Sequence, residues 1–254
     1  MLHIWKLLFF TPFLLYSCYS DIKTHRVTNN LLSIMLASGV VFMLFDILTH
    51  GISYILYVFI SSGFMFVIVY ILFQLGIFGG ADAKSLIVLS MIFPASPTFK
   101  AFEYSFPLHK PSIDSFAFSI LGNAIMLIFI FLIGLAAYNI MKMGIRIDNP
   151  WYIFIGYTTK ISQLVNKHVR LLQDLNIVDR DVELHYRRGE LDDRIIHELK
   201  NLSEKGLIKD YVWVTPKLPF MIPMTMGFYV AVFYGDLASE LTKYLIFIFL
   251  KIKP

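Results

Sequence analysis

Apolar residues along this chain gather in long runs, and polar residues fall between them. Runs such as "LLSIMLASGVVFMLFDIL" and "NAIMLIFIFLIGLAAYNIM" reach the roughly 18 to 20 residues that a helix needs to cross about 30 Å of hydrocarbon. The pattern predicts six spans, at about 4–20, 29–48, 52–78, 83–97, 115–141 and 219–250. The fourth is the short one, because only a dozen or so apolar residues separate Lys84 from Pro94. Such a segment must be wrapped by neighbouring helices or begin inside the bilayer boundary. In the last, "YGDLASELTKY" sets Asp236, Glu240 and Lys243 between two apolar stretches. Either one long helix leaves the membrane near Gly235, or a short interfacial helix follows the sixth span; the second is preferred, with Glu240 and Lys243 spaced to pair on one face.

Between the fifth and sixth spans the pattern changes. Residues 143–218 are charged, mixed in sign and punctuated by glycine. "LDDRIIHELKNLSEKG" reads as an amphipathic helix with Leu191, Ile195, Leu199 and Leu202 on one face and Gly206 as its stop. "YVWVTP" reads as a strand ended by Pro216. The expected fold class is a polytopic α-helical membrane protein, about six transmembrane helices plus a small mixed α/β cytoplasmic domain. The parts are residues 1–142, the soluble domain 143–218, and a final span with its interfacial tail, 219–254.

Composition agrees: 57% of the 254 residues are hydrophobic and the mean hydropathy is +0.67, above the about 45–50% apolar content of soluble domains. A single signal peptide does not account for so many runs. The formal charge of +4 comes from loops that flank the spans and from the mixed-charge domain, which points to orientation in a lipid bilayer and not to nucleic acid. Lys23 and Arg26 follow span one, Lys84 follows span three, and the soluble segment is rich in both residue types, whereas "THGIS" between spans two and three has neither. With six spans these basic segments share one side, which the positive-inside tendency makes cytoplasmic. The 98–113 loop then faces outward. The single cysteine, Cys18, offers no disulfide and no CxxC site. The seven histidines show no metal-ligand spacing, so no metal and no cofactor is expected.

Two carboxylates meet this topology at similar depth. Asp21 closes span one in "YSDIKTHRVTNN", and Asp82 opens span four in "FGGADAKSL". Locally the stretches match: Ser20-Asp21-Ile22-Lys23-Thr24 beside Ala81-Asp82-Ala83-Lys84-Ser85. Side chains at i and i+2 do not share a helix face, so each lysine can reach headgroups while its aspartate faces inward. One reading is membrane-end anchoring, with an aspartate favoured near the start of a helix. The other is chemistry: two aspartates a few ångströms apart share one proton, and such a pair supplies both the base and the acid of peptide hydrolysis. Gly79 and Gly80 suit a site of that kind, since glycine permits close backbone approach and positive φ. The residues alone leave both readings open. Asp46 reads as solvated or capping at the outer end of span two, Asp236 and Glu240 as part of the tail, and Asn29 and Asn30 as caps of span two.

Taken together, "YSDIKTHRVTNNLL", "GGADAKSLI" and six apolar runs resemble the GxGD-type membrane aspartyl proteases, within them the type IV prepilin peptidases, and among these the archaeal preflagellin peptidase branch. The resemblance covers most of the chain. It implies Asp21 and Asp82 as the catalytic pair, with Gly79, Gly80, Ala81, Lys23, Arg26 and Lys84 shaping the site or contacting substrate. Gly79 matches the first glycine of the motif, whereas Ala81 replaces the second, a departure that fits the archaeal branch. The cysteine-rich region that accompanies N-methylation in many bacterial members is absent. The implied activity is therefore removal of short basic leaders from preflagellin or prepilin-like precursors at the cytoplasmic face, without methyl transfer. "KLPFMIP", with Pro219 and Pro223, loosely matches proline-bearing segments near other GxGD sites, although prolines at a helix start also have a structural reason. A proton- or cation-coupled carrier built on intramembrane carboxylates is the alternative, weakened by the position of both aspartates at one face and by the lack of an inverted repeat. A membrane scaffold that uses residues 143–218 to bind partners is a third class.

Overall fold

The computed structural model describes residues 2–24, 27–101, 103–144, 150–164, 169–178, 181–190, 192–216 and 219–250. Arg26 and Leu191 lie outside the described residues. The chain divides into two compact units, residues 1–128 with 219–254, and residues 129–218.

The first unit is helical. In order come α1 (Leu2–Thr24), α2 (Asn29–His50), α3 (Ser53–Gln74), α4 (Gly80–Ile92), a short hairpin of β1 (Phe99–Ala101) and β2 (Tyr104–Phe106), and the start of α5 (Phe116–Met143); α8 (Met221–Phe233) and α9 (Leu237–Leu250) return to it late in the chain. Asn29–His50, Ser53–Gln74 and Phe116–Lys142 are long and apolar enough to cross a membrane, and α8 with Leu237–Phe249 of α9 passes the same test only as a pair bent by 69°, a broken span or a re-entrant loop. The six spans of the sequence reading thus reduce to three or four that qualify by length and composition. α4 fails because its 13 residues rise only about 20 Å at about 1.5 Å each. Its surroundings compensate, since Ala83, Ser85, Leu86, Val88, Leu89, Ser90 and Ile92 are all buried; this helix is wrapped by protein. By contrast α2 and α3 expose Leu44, Phe45, Leu48, Phe59, Ile60 and Phe66, the pattern of helices whose solvent is lipid.

The core of this unit joins Phe10 and Leu14 of α1, Met35 of α2, Met65 of α3, Leu86 and Leu89 of α4, Phe116 and Ile120 of α5, and Met224 and Phe228 of α8. Phe93 touches the rings of Phe10 at 5.9 Å and Phe116 at 5.4 Å, and aromatic pairs at such spacing add about 0.5–1.5 kcal/mol beyond their buried area. The 98–113 segment, read as a loop, contains the β1–β2 hairpin; Phe99 stacks on Phe106 at 5.3 Å, and Leu108 and His109 donate backbone hydrogen bonds to Phe233 and Tyr234.

The break between α8 and α9 falls where the polar interruption lies. Gly235 takes φ +112°, a conformation that favours glycine. Asp236 is buried and accepts from the N–H groups of Ala238 and Ser239, so it caps α9. Asn123 of α5 locks the turn, donating to Gly235 O at 2.8 Å and accepting from Leu237 N at 2.9 Å. Glu240 pairs with Lys243 at 2.8 Å as their spacing implies.

Asp46 corrects the sequence reading. It is neither solvated nor a cap: it is 1% exposed and its Oδ2 lies 2.6 Å from the Nζ of Lys6, itself 2% exposed. The Tyr54 hydroxyl donates to the same oxygen at 3.0 Å. Lys6 comes from the first turns of α1, Asp46 from the last turns of α2 and Tyr54 from the first turn of α3, so the pair closes the end of the bundle opposite Asp21. The interruption at Asp46 looked solvated because its partner lies 40 residues away.

The second unit holds the end of α5, α6 (Tyr152–Ile155), β3 (Tyr157–Lys160), a 3-10 turn (Ile161–Gln163), β4 (Val169–Val178), β5 (Asp181–Glu190), α7 (Asp193–Glu204) and β6 (Tyr211–Pro216). The strands form one antiparallel sheet in the order β3-β6-β4-β5. Helix α7 and strand β6 stand where periodicity predicts them. On α7, Leu199 is fully buried and Ile195 packs against the core, joined by Ile196, which the reading passed over. Gly206 at φ +71° ends the helix, and Leu207 N closes back on Leu202 O, a Schellman-type stop. The long β4–β5 hairpin was not legible, because its charged residues mask any alternation.

Candidate active site

Three helix ends converge in the first unit: the C-terminus of α1 and the N-termini of α4 and α8. Phe78, just before α4, and Phe220, just before α8, pack with ring centroids 4.6 Å apart. This contact joins two helix starts whose leading N–H groups have no partner within the helix. Each start receives a carboxylate.

Asp21, in the last turn of α1, is buried, and its Oδ2 accepts a hydrogen bond from Met221 N at 3.1 Å. The N-cap of α8 is Phe220, which has no side-chain cap, so Asp21 caps α8 from another helix, where the positive end of the dipole favours its charge. One turn earlier on α1, the Cys18 thiol lies 3.1 Å from Thr225 Oγ1 and 3.2 Å from Met221 O, holding the two helices together along the same edge.

Asp82 is the third residue of α4, and its side chain turns back toward Gly79, the N-cap. This is the N3 carboxylate position of a capping box. Gly79 has φ −75° and ψ 156°, and neither it nor Gly80 adopts positive φ. The expected use of positive φ is therefore corrected. What glycine provides at 79 is room: a Cβ there would sit 3.1 Å from Asp82 Oδ2.

The two carboxylates lie close enough that the charge of Asp21 acts on Asp82, while Asp21 keeps its backbone donor from α8. Their neighbours point elsewhere. Lys23 is exposed, its ammonium 5.7 Å from the centroid of the Tyr19 ring. Lys84 is exposed and donates to Asn29 Oδ1 at 3.1 Å, which ties the starts of α4 and α2. Asn29 and Asn30 are not caps: the N-cap of α2 is Thr28. Ala81 is half-buried against the core, and Gly80 is exposed. The contribution of α8 was the feature the sequence concealed; its signal was Pro219 and Pro223 around an uncapped helix start.

Most of the helical part of the chain matches a family model. The type IV leader peptidase family covers residues 8–141, more than half of the chain. The chain belongs to that family. It is a membrane peptidase of its archaeal branch, since residues 148–237 match the archaeal peptidase A24 C-terminus, type II. The chain is also 26% identical over 237 residues to the preflagellin peptidase of Methanococcus voltae, across 88% of this chain and 92% of that protein. Membership in a leader peptidase family does not favour the carrier reading of the intramembrane carboxylates.

Proposed function

We propose that Asp21 and Asp82 are the catalytic pair of this leader peptidase, and that its substrates are preflagellin or prepilin-like precursors with short basic leaders. The observation that carries the reading is the convergence of α1, α4 and α8 on two carboxylates in electrostatic contact. Carboxylates that repel one another share a proton. The ionised member takes a proton from a water as its oxygen attacks the scissile carbonyl. The protonated member gives its proton to the carbonyl oxygen; collapse of the resulting diol then breaks the C–N bond as the leaving amine is protonated. The start of α8 holds Asp21 by a backbone N–H, which orients a carboxylate and leaves its proton chemistry intact.

The finer topology belongs to the same proposal. Six crossings, with α1 and the protein-wrapped α4 completing the set, put Lys23, Arg26, Lys84 and the domain 143–218 on the cytoplasmic side, and the pair with them. Gly79, Gly80 and Ala81 shape the approach of substrate backbone. Cleavage proceeds without methyl transfer, a reading supported by the single cysteine. The decisive experiment incubates purified protein with candidate precursors and sequences the new N-terminus. Cleavage just before the hydrophobic helix, lost in folded Asp21→Asn and Asp82→Asn proteins, is the expected result; wild-type cleavage by either variant overturns the assignment.

A further inference from the structure

A hollow lies in the other unit, where α5 ends. It encloses about 410 Å³. Its walls include Tyr138 and Lys142 from the last turns of α5, Tyr157, Thr158 and Lys160 from β3, and Tyr211 from β6. Among the described residues that line it two are lysines and none is acidic, so their charge gives the hollow a positive field.

Its position is set by the helix it closes. Phe116–Lys142 is apolar enough to cross a membrane, and Lys142 is its final residue, at the boundary between hydrocarbon and water. Tyr138, one turn earlier, is 52% exposed, as tyrosines of the interfacial belt are. The two ammonium groups are held in place by rings: Lys142 Nζ lies 5.8 Å from the Tyr138 centroid and Lys160 Nζ 5.9 Å from that of Tyr211. An ammonium has three donors; Lys142 directs one to Thr158 O at a long 3.4 Å, which leaves donors for a ligand.

We propose that this hollow is a cradle for the phosphate of an anionic lipid headgroup, gripped by Lys142 and Lys160. A phosphodiester matches it on charge, on its two cations, and on depth, because lipid phosphates lie at the level where an apolar helix ends. The cradle is independent of the catalytic proposal.

The test uses the full-length protein in nanodiscs of phosphatidylcholine with and without phosphatidylglycerol, reading retained lipid by native mass spectrometry and the denaturation midpoint. Wild type is expected to enrich phosphatidylglycerol on the order of tenfold, from two interfacial lysines near a lipid surface, and to melt higher in its presence. Lys142→Gln/Lys160→Gln falls to parity, the double arginine variant keeps the preference, and precursor cleavage in detergent is unchanged in both. A glutamine variant with undiminished enrichment overturns the proposal. So does inorganic phosphate in detergent that stabilises wild type as much as the anionic lipid does, because the source is then a free anion. Should the double variant fail to fold, Lys160→Gln alone, altering an exposed side chain, must lose part of the enrichment; full retention overturns the cradle.

Discussion

The two ends of the helical bundle each hold carboxylates in apolar surroundings, and they hold them differently. At one end Asp46 is neutralised by Lys6 at 2.6 Å and by the Tyr54 hydroxyl. At the other, Asp21 takes the backbone N–H of Met221 and Asp82 turns back onto the start of its own helix beside Gly79, and among the described residues neither is paired with a cation. An ammonium partner cancels a carboxylate's charge and holds its proton off; a backbone donor orients the carboxylate and leaves it able to exchange protons. The first arrangement fastens α1 to α2. The second is suited to chemistry, and the two together fix α1 at both of its ends.

The largest expected effect separates the ends by activity. Asp21→Asn and Asp82→Asn each lower precursor cleavage by about a thousandfold or more, the scale of positioned acid-base catalysis, while Asp46→Asn leaves cleavage per folded molecule near wild type. Rates with purified protein, normalised to the folded fraction, make the comparison; an Asp46→Asn enzyme as dead as Asp82→Asn breaks it.

Stability should reverse the order. Lys6→Met or Asp46→Leu alone is expected to cost about 3–5 kcal/mol, because the surviving charge is buried without its partner. The double change Lys6→Met/Asp46→Leu should recover most of that loss, as apolar replacements of a whole buried pair do. Denaturation midpoints of the four proteins in one detergent provide the cycle, and a double variant no more stable than the worse single would remove the ion pair as the cause.

A smaller effect probes the cap on α8. Asp21→Ala should lower stability by about 1 kcal/mol beyond Asp21→Asn, the usual cost of losing a helix cap, since asparagine keeps an acceptor for Met221 N and alanine does not. Equal midpoints for the two variants would show that the bond to α8 contributes nothing. The smallest change is at Lys84: its bond to Asn29 is exposed, so Lys84→Gln should shift stability by less than about 0.5 kcal/mol and leave cleavage within a few-fold of wild type.

Much of the fold was legible where a local rule operates. Apolar runs marked α2, α3 and α5, Gly206 and the spacing of Leu199 marked the end and face of α7, and the alternation in "YVWVTP" marked β6. The shortness of the fourth run was visible, and so was the polar break at Gly235 and Asp236. The β4–β5 hairpin was hidden by its charges, and the β1–β2 hairpin by its three-residue strands. At the candidate site, Asp21, Asp82 and the need for glycine at 79 were visible in two matching stretches; the reason for that glycine was not, because it depends on the carboxylate folding back onto its own helix start.

By itself the sequence determined which segments are apolar enough for lipid, where helices start and stop, and which two stretches carry an aspartate at a helix end, because these follow from neighbours within a few residues. Only the tertiary structure decided who meets whom. It gave Asp46 to Lys6 across 40 residues and Asp21 to the start of α8 across 200. Partnership of a buried charge is settled by whichever donor packing brings within about 3 Å, and no local pattern in the chain encodes that distance.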